Sequence, residues 1–215
     1  GLGDVYKRQF LQAVGAADDP ATGGRQMPGH FGHADYRIVT ASSPTGTQFN
    51  RAVGCAEAIK RAQNIRAIAQ SDTVRLNVAE DEVVLVCTGD GTTSEGEFWE
   101  ALNTASNLAL PIIFLVEDNG YAISVPVEVN TAGGSISKLV SGFPGLMIQE
   151  IDGTDPLASY AAMQKAVERC RSGRGPALVH AHVISPYSHS MSDDESDYKS
   201  ENDRTEEAVR DPLLT

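Results

Sequence analysis

The stretch VVLVCTGDGTTSEGEFWEALNTASNLALPIIFLVEDNGY, residues 83–121, decides the fold. It opens on the apolar run Val83 to Cys87, which has strand length and no polar face, as strands buried on both sides do. Ser94-Glu95-Gly96-Glu97 reads as a capping box, whose hydroxyl and carboxylate satisfy free backbone N–H groups at a helix start. Phe98, Ala101, Leu102, Ala105 and Leu108 then recur at helical spacing. Pro111 separates that helix from a second apolar strand, Ile112 to Val116. Two buried strands joined by a helix imply a parallel pair.

The same alternation continues outward. Leu146 to Ile151 reads as a strand, Asp155-Pro156 caps a helix running to about Arg171, and Ala177 to Val183 reads as another strand. Upstream, Arg51 to Gln70 is an Ala-rich helical run, and Phe10 to Gln48 is rich in Gly, Pro, Ser and Asp, so it reads as loop with short elements. The pattern predicts an α/β fold, a parallel sheet with helices on both faces.

Composition narrows the function classes. Hydrophobic residues at 41% and charged residues at 21% suit a globular domain. A net charge of -12 argues against nucleic acid or an anionic membrane as partner. The longest apolar run, Leu108 to Val116, is half of a membrane span. No signal peptide is visible. Cys55, Cys87 and Cys170 form no CxxC pair and read as buried free thiols of a reducing compartment. Residues 1–9 resemble a translated adapter and are set aside, with one domain expected over 10–192. From Asp193 to Asp211 nine acidic residues face three basic ones, so 193–215 reads as a solvated tail or the start of a linker. The absence of an initiator Met and the abrupt end at Thr215 suggest a fragment.

Gly89-Asp90-Gly91 follows the first strand, at the carboxyl end where open α/β sheets bind ligands. Glycines there let the backbone approach a diphosphate, and the next helix aims free N–H groups at it. After 26 further residues and a second strand comes Asp118-Asn119-Gly120-Tyr121. If the strands are neighbours, Asp90 and Asn119 reach one sheet edge, where a carboxylate, an amide oxygen and a carbonyl suit octahedral magnesium. Either tripeptide alone would be an ordinary turn; the pair at strand ends is far more specific.

With its spacing, the pair resembles the thiamine-diphosphate motif. Gly24-Arg25-Gln26-Met27-Pro28, Ser42 to Gln48, Ala52-Val53-Gly54 with Ala56, Glu117 to Ser124 and His189-Ser190-Met191-Ser192-Asp193 resemble the E1 α subunit of branched-chain and pyruvate-type 2-oxo acid dehydrogenases. The resemblance implies magnesium held by the side chains of Asp90 and Asn119 and the Tyr121 carbonyl. Gly89 closes the strand, and the Gly91 and Thr92 amides would hold the diphosphate. Backbone groups of Ser43 and Thr45 would face the aminopyrimidine ring. Some members bind K+ with the loop matching Ser42, Pro44, Thr47 and Gln48. His189 matches an active-site histidine on a mobile loop, able to contact the diphosphate or orient the 2-oxo acid, and Ser190 matches a regulatory phosphorylation site of mitochondrial members.

The implied activity is oxidative decarboxylation of a 2-oxo acid with acyl transfer to a lipoyl-bearing E2. The implied partners are a β subunit or fused β domain and a second protomer. The implied location is the bacterial cytoplasm, or the mitochondrial matrix in a eukaryote. Alternatives are another thiamine-diphosphate enzyme half, of acetoin dehydrogenase or transketolase type, and a non-catalytic assembly domain of the same fold. Three departures matter. The Tyr and Arg that help grip the diphosphate in the family belong to a segment expected before Phe10, and their role is not carried over to Tyr6, Lys7 or Arg8. Glu117 stands where branched-chain members place Arg, so substrate type is not readable there. The carboxylate that activates the cofactor comes from the β part in this family, and Glu57 is not its counterpart. His180 and His182 share one strand face and read as a hydrogen-bonded core or interface pair rather than a metal pair. His30 reads as loop packing at least as readily as a substrate contact, and Phe98 and Trp99 as helix packing.

Overall fold

The computed structural model describes residues 2–69, 78, 79 and 81–214. The chain divides into two compact units, Gly1–Gln48 and Phe49–Thr215, whereas the sequence suggests divisions at 9/10 and 192/193. The first unit carries helix α1 (Leu2–Ala13), which runs through the stretch set aside above, and then turns with one isolated bridge between His33 and Ile38. Its buried Asp19 accepts hydrogen bonds from the Thr22 backbone N–H (3.0 Å) and hydroxyl (2.7 Å).

Helix α2 (Thr47–Ala69) leads into the second unit. There follow β1 (Val84–Gly89), α3 (Gly96–Asn107), β2 (Ile112–Asp118), β3 (Tyr121–Ala122), β4 (Val125–Pro126), α4 (Val127–Asn130), α5 (Ile136–Leu139), β5 (Met147–Asp152), α6 (Pro156–Arg171), β6 (Ala177–His182) and α7 (Glu201–Val209). Strands β1, β2, β6 and β5, in that spatial order, make one parallel sheet, and β3 and β4 form a separate antiparallel hairpin.

Strand alternation sorts the sheet into two faces. Val86, Ile112, Phe114, Val116 and Leu178 point to one side, against Phe49, Ala52, Val53 and Ala56 of α2 and Phe98, Ala101, Leu102 and Ala105 of α3. Ile113, Ala177 and Val179 point to the other, against Ala162, Ala166 and Cys170 of α6. Helices therefore cover both faces, as the alternating pattern predicts. Phe98 fills the first core, and Trp99 stacks on Phe143 with ring centroids 6.3 Å apart. Asp155 caps α6 as expected, accepting from the N–H groups of Leu157 and Ala158.

Three sequence expectations need correcting. Ser94 is not the α3 cap, because it closes a 3-10 turn over Gly91–Ser94; Glu95 takes the cap position without a side-chain bond. Cys170 is buried, but Cys87 is exposed and Cys55 intermediate. Among the described strands β1 lies at the sheet edge, and α6 packs on β2, β5 and β6, so Leu85 and Cys87 of β1 are exposed. The acidic tail, read as solvated, carries a turn at Glu195–Asp197 and helix α7, opened by a capping box between Ser200 and Asp203. Buried Lys199 pairs with Glu207 at 2.7 Å, and Arg210 reaches Asp152 of β5 at 3.3 Å. Gln70 of the predicted helical run lies outside the described residues. No described helix is long and apolar enough to cross a membrane.

Gly153, just after β5, sits against the end of β6. A Cβ there would lie 2.7 Å from Val183 Cγ1 and 3.0 Å from the His182 carbonyl. Gly153→Ala should therefore destabilise the chain by about 1–3 kcal/mol through overpacking, read as a lowered urea midpoint at unchanged m-value.

Candidate functional site

The pairing of β1 with β2 runs in register from Val84↔Ile112 to Gly89↔Glu117. Asp90 and Asp118-Asn119 consequently leave the sheet side by side at its carboxyl edge. Beyond β1 the chain enters the Gly91–Ser94 turn, which is closed on the Asp90 carbonyl by the Thr93 N–H (3.0 Å) and hydroxyl (2.6 Å).

Beyond β2 two side-chain turns follow in succession. The Gly120 N–H donates to Asp118 Oδ1 at 2.8 Å, and the Tyr121 N–H donates to Asn119 Oδ1 at 3.0 Å. Gly120 adopts φ 80°, which a side chain would resist. Its carbonyl accepts from the Val127 N–H at 2.8 Å, tying the β3–β4 hairpin to the start of α4. Ile123 at the hairpin tip holds φ 59°, a costly conformation for a β-branched residue. The hairpin also lies against the Gly91 backbone, where a Cβ would come within 2.6 Å of Ala122 Cβ.

Charge decides what this edge can do. Asp90 is 1% exposed, and its Oδ2 has no hydrogen-bond partner. Burial pushes its carboxyl above the usual range, the Asp118 charge adds to the shift, and the amides of Asp90, Asn119 and Gly91 offset part of it. Asp118 differs. Burial pushes it up, but the hydrogen bonds from His180 Nε2 (2.7 Å) and the Gly120 N–H, with the charges of His180 and His182, hold it below the ordinary value. A buried carboxylate oxygen without a donor, beside a second carboxylate, is an arrangement that a divalent cation stabilises. The donor set of Asp90, Asn119 and the Tyr121 carbonyl fits a hard cation.

The structure thus brings Gly89, Asp90, Gly91, Thr92, Asn119 and Tyr121 to one edge. His189 lies on the loop after β6, exposed, with its N–H donating to Asp193 Oδ2 at 3.0 Å. Ser43 and Thr45 belong to the first unit, in a loop closed by the Ser42–Thr47 hydroxyl pair at 2.6 Å. His30 sits in a local turn, with its Nδ1 3.1 Å from the Pro28 carbonyl.

Two features carried no sequence signal. Lys199 lies 5.2 Å over the Tyr121 ring, and Tyr198 sits 5.7 Å from the same ring. Tyr198 donates its hydroxyl to Asp193 at 2.6 Å and is pushed up to about 12 by that bond and by burial. His180 and His182, read as a hydrogen-bonded pair, do reach carboxylates: Asp118 at 2.7 Å and Glu150 at 2.9 Å.

The family profile described as "Dehydrogenase E1 component" matches residues 3–215. The 2-oxoisovalerate dehydrogenase subunit alpha of Bacillus subtilis (strain 168) is 38% identical over 214 residues, covering 100% of this chain and 60% of that relative. The mitochondrial 2-oxoisovalerate dehydrogenase subunit alpha of Mus musculus is 37% identical over 88% of this chain and 39% of its own length. The 3-methyl-2-oxobutanoate dehydrogenase subunit alpha of Mycobacterium tuberculosis (strain ATCC 25618 / H37Rv) is 36% identical over 86% of this chain and 49% of its own. The chain spans less than two thirds of each. Among solved structures, transketolase from Campylobacter jejuni superposes with a TM-score of 0.53 at 26% identity, over 73% of this chain and 22% of that one.

A buried carboxylate with one oxygen lacking a donor costs stability. Asp90→Asn should stabilise the ligand-free chain by about 1 kcal/mol, a melting temperature about 2–4 °C higher. Calorimetry at neutral pH checks this; a lower melting temperature would mean that Asp90 already has a compensating partner.

Proposed function

The chain belongs to the dehydrogenase E1 component family, and from that premise we propose that it is the diphosphate- and magnesium-binding part of a 2-oxo acid dehydrogenase E1. The proposed activity is oxidative decarboxylation of a 2-oxo acid on thiamine diphosphate, with acyl transfer to the lipoyl group of an E2. The relatives' names favour a branched-chain 2-oxo acid. A β subunit or fused β domain would complete the enzyme, with the Gly- and Ala-rich α2 as the surface it meets. The compartment would be bacterial cytoplasm, or mitochondrial matrix in a eukaryote.

The observation that carries this reading is the donorless Asp90 carboxylate oxygen at the carboxyl edge of the sheet. Asp90 and Asn119 would hold Mg2+ through their side chains and Tyr121 through its carbonyl. The Gly91 and Thr92 amides, at the start of a tight turn, would hold the diphosphate. Ser43 and Thr45 would face the aminopyrimidine through backbone groups, and the Ser42–Gln48 loop would take K+ where a member uses it. Thiamine diphosphate supplies the nucleophilic carbon and the electron sink for decarboxylation. His189 would contact the diphosphate or orient the 2-oxo acid. Glu57 pairs along its own helix with Arg61, and the carboxylate that activates the cofactor would come from the β part.

The second reading, a transketolase-like half, draws on the likeness to the Campylobacter enzyme. Lipoyl-dependent turnover separates the two.

Titration calorimetry with thiamine diphosphate and Mg2+ tests the proposal, with a β subunit present. Wild type should bind, and Asp90→Asn, which keeps the fold, should lose at least about 3 kcal/mol of affinity, the order expected for a cation left short of a ligand charge. Gly91→Ala should weaken binding by displacing the hairpin. No cofactor binding by wild type would sink the proposal.

A further inference from the structure

Asp118 and His182 end neighbouring strands and are register partners, and His180 lies two residues back on the same face of β6. Asp118 Oδ2 lies 2.7 Å from His180 Nε2 and 3.8 Å from His182 Nδ1, and one ligand atom from each residue falls within 4.8 Å of the others. His180 is wholly buried, Asp118 nearly so, and the His182 side chain is 45% exposed, which opens the cluster to solvent at one side.

We propose that Asp118, His180 and His182 form a transition-metal site of the zinc class, with a donor set separate from the magnesium ligands. Two imidazoles and a carboxylate select borderline metals over magnesium, which prefers all-oxygen shells. Ligands at about 2.0–2.1 Å around a tetrahedral ion stand roughly 3.3 Å apart. The two measured separations from Asp118 fall on either side of that value.

His182 supplies the second argument. Its Nε2 lies 2.9 Å from Glu150 Oε1, and the other Glu150 oxygen accepts the Ser137 hydroxyl at 2.5 Å. Glu150 is an acceptor, so Nε2 carries a hydrogen, and Nδ1 is the nitrogen that would offer a metal ion its lone pair, any second proton being released to solvent on binding. That lone pair stands 3.8 Å from a carboxylate oxygen, too far for a hydrogen bond, with acceptors on both sides. A cation between them turns the contact favourable. Carboxylate, histidine and metal in series is the arrangement that fixes the tautomer of metal-binding imidazoles. His180 Nδ1 is buried without a partner, so the proton that Nε2 donates to Asp118 would move to Nδ1 on metal binding and free the Nε2 lone pair for the ion.

The chain, stripped of metals, is titrated with Zn2+ in excess Mg2+ and without thiamine diphosphate, so cofactor binding does not enter the result. One Zn2+ per chain should bind. Glu150→Gln should weaken it about 10–100-fold, and His182→Gln by at least as much. Asp90→Asn should leave it unchanged. His182 and Glu150 are both partly exposed, and thermal melts of the metal-free variants confirm folding. If His182→Gln fails to fold, Glu150→Gln carries the test. Failure of wild type to bind Zn2+ stoichiometrically overturns the proposal. So does binding that His182→Gln and Glu150→Gln leave intact, or binding that Asp90→Asn abolishes.

Discussion

The in-register parallel pairing of β1 with β2 is the constraint on which the site depends. Side-chain direction alternates along a strand, so a one-residue slip would turn every inward residue outward. Val86, Phe114 and Val116 all lie in one core, and that burial fixes the register. Register then fixes chemistry. With Gly89 opposite Glu117, Asp90 and Asp118 emerge together, and the residues after each must turn away from the sheet. The apolar core thus sets a polar arrangement that would be unfavourable by itself.

Two carboxylates brought side by side under burial cannot both be comfortable, and the fold treats them differently. Asp118 receives the His180 imidazole and the Gly120 N–H, and is held ionised. Asp90 has an oxygen without a donor and is pushed the other way. In the metal-free chain Asp118 therefore anchors the Asp118–Tyr121 turn to β6. Asp90 keeps an oxygen without a donor among the described residues. This division of roles depends on β6 being the neighbour of β2, because only that strand brings His180 within reach.

Much of this was legible in the sequence, and the failures have physical causes. Uninterrupted apolar runs at 83–87 and 112–116 identify buried parallel strands whatever their neighbours. Glycine and aspartate at their ends identify the edge. Strand order is not local information, so nothing in the run Val83–Cys87 says that β1 lies at the sheet edge with Cys87 uncovered. Ser94-x-x-Glu97 satisfies the capping pattern, but the Gly91–Ser94 turn claims Ser94 first, and a turn set by backbone approach to Ala122 leaves no mark in the pattern. Composition likewise missed one feature of a tail that is mostly exposed. Its acidic excess suggests solvation, yet one lysine paired with Glu195 and Glu207 lies buried against Tyr121.

The same reasoning explains why a donorless carboxylate oxygen can persist in a folded chain. Burying Asp90 Oδ2 without a donor costs on the order of 1–3 kcal/mol, a sizeable share of the stability of a domain. The cost is tolerable only because the surrounding turn is held by other bonds: Thr93 on the Asp90 carbonyl, Gly120 on Asp118, Val127 on Gly120. None of these bonds uses the Asp90 side chain. A cation binding there would relieve the cost without rebuilding the turn, so much of its binding energy would appear as added stability of the folded state. Preorganisation by the backbone and strain in one carboxylate are two sides of one design, and both follow from the register that places Gly89 opposite Glu117.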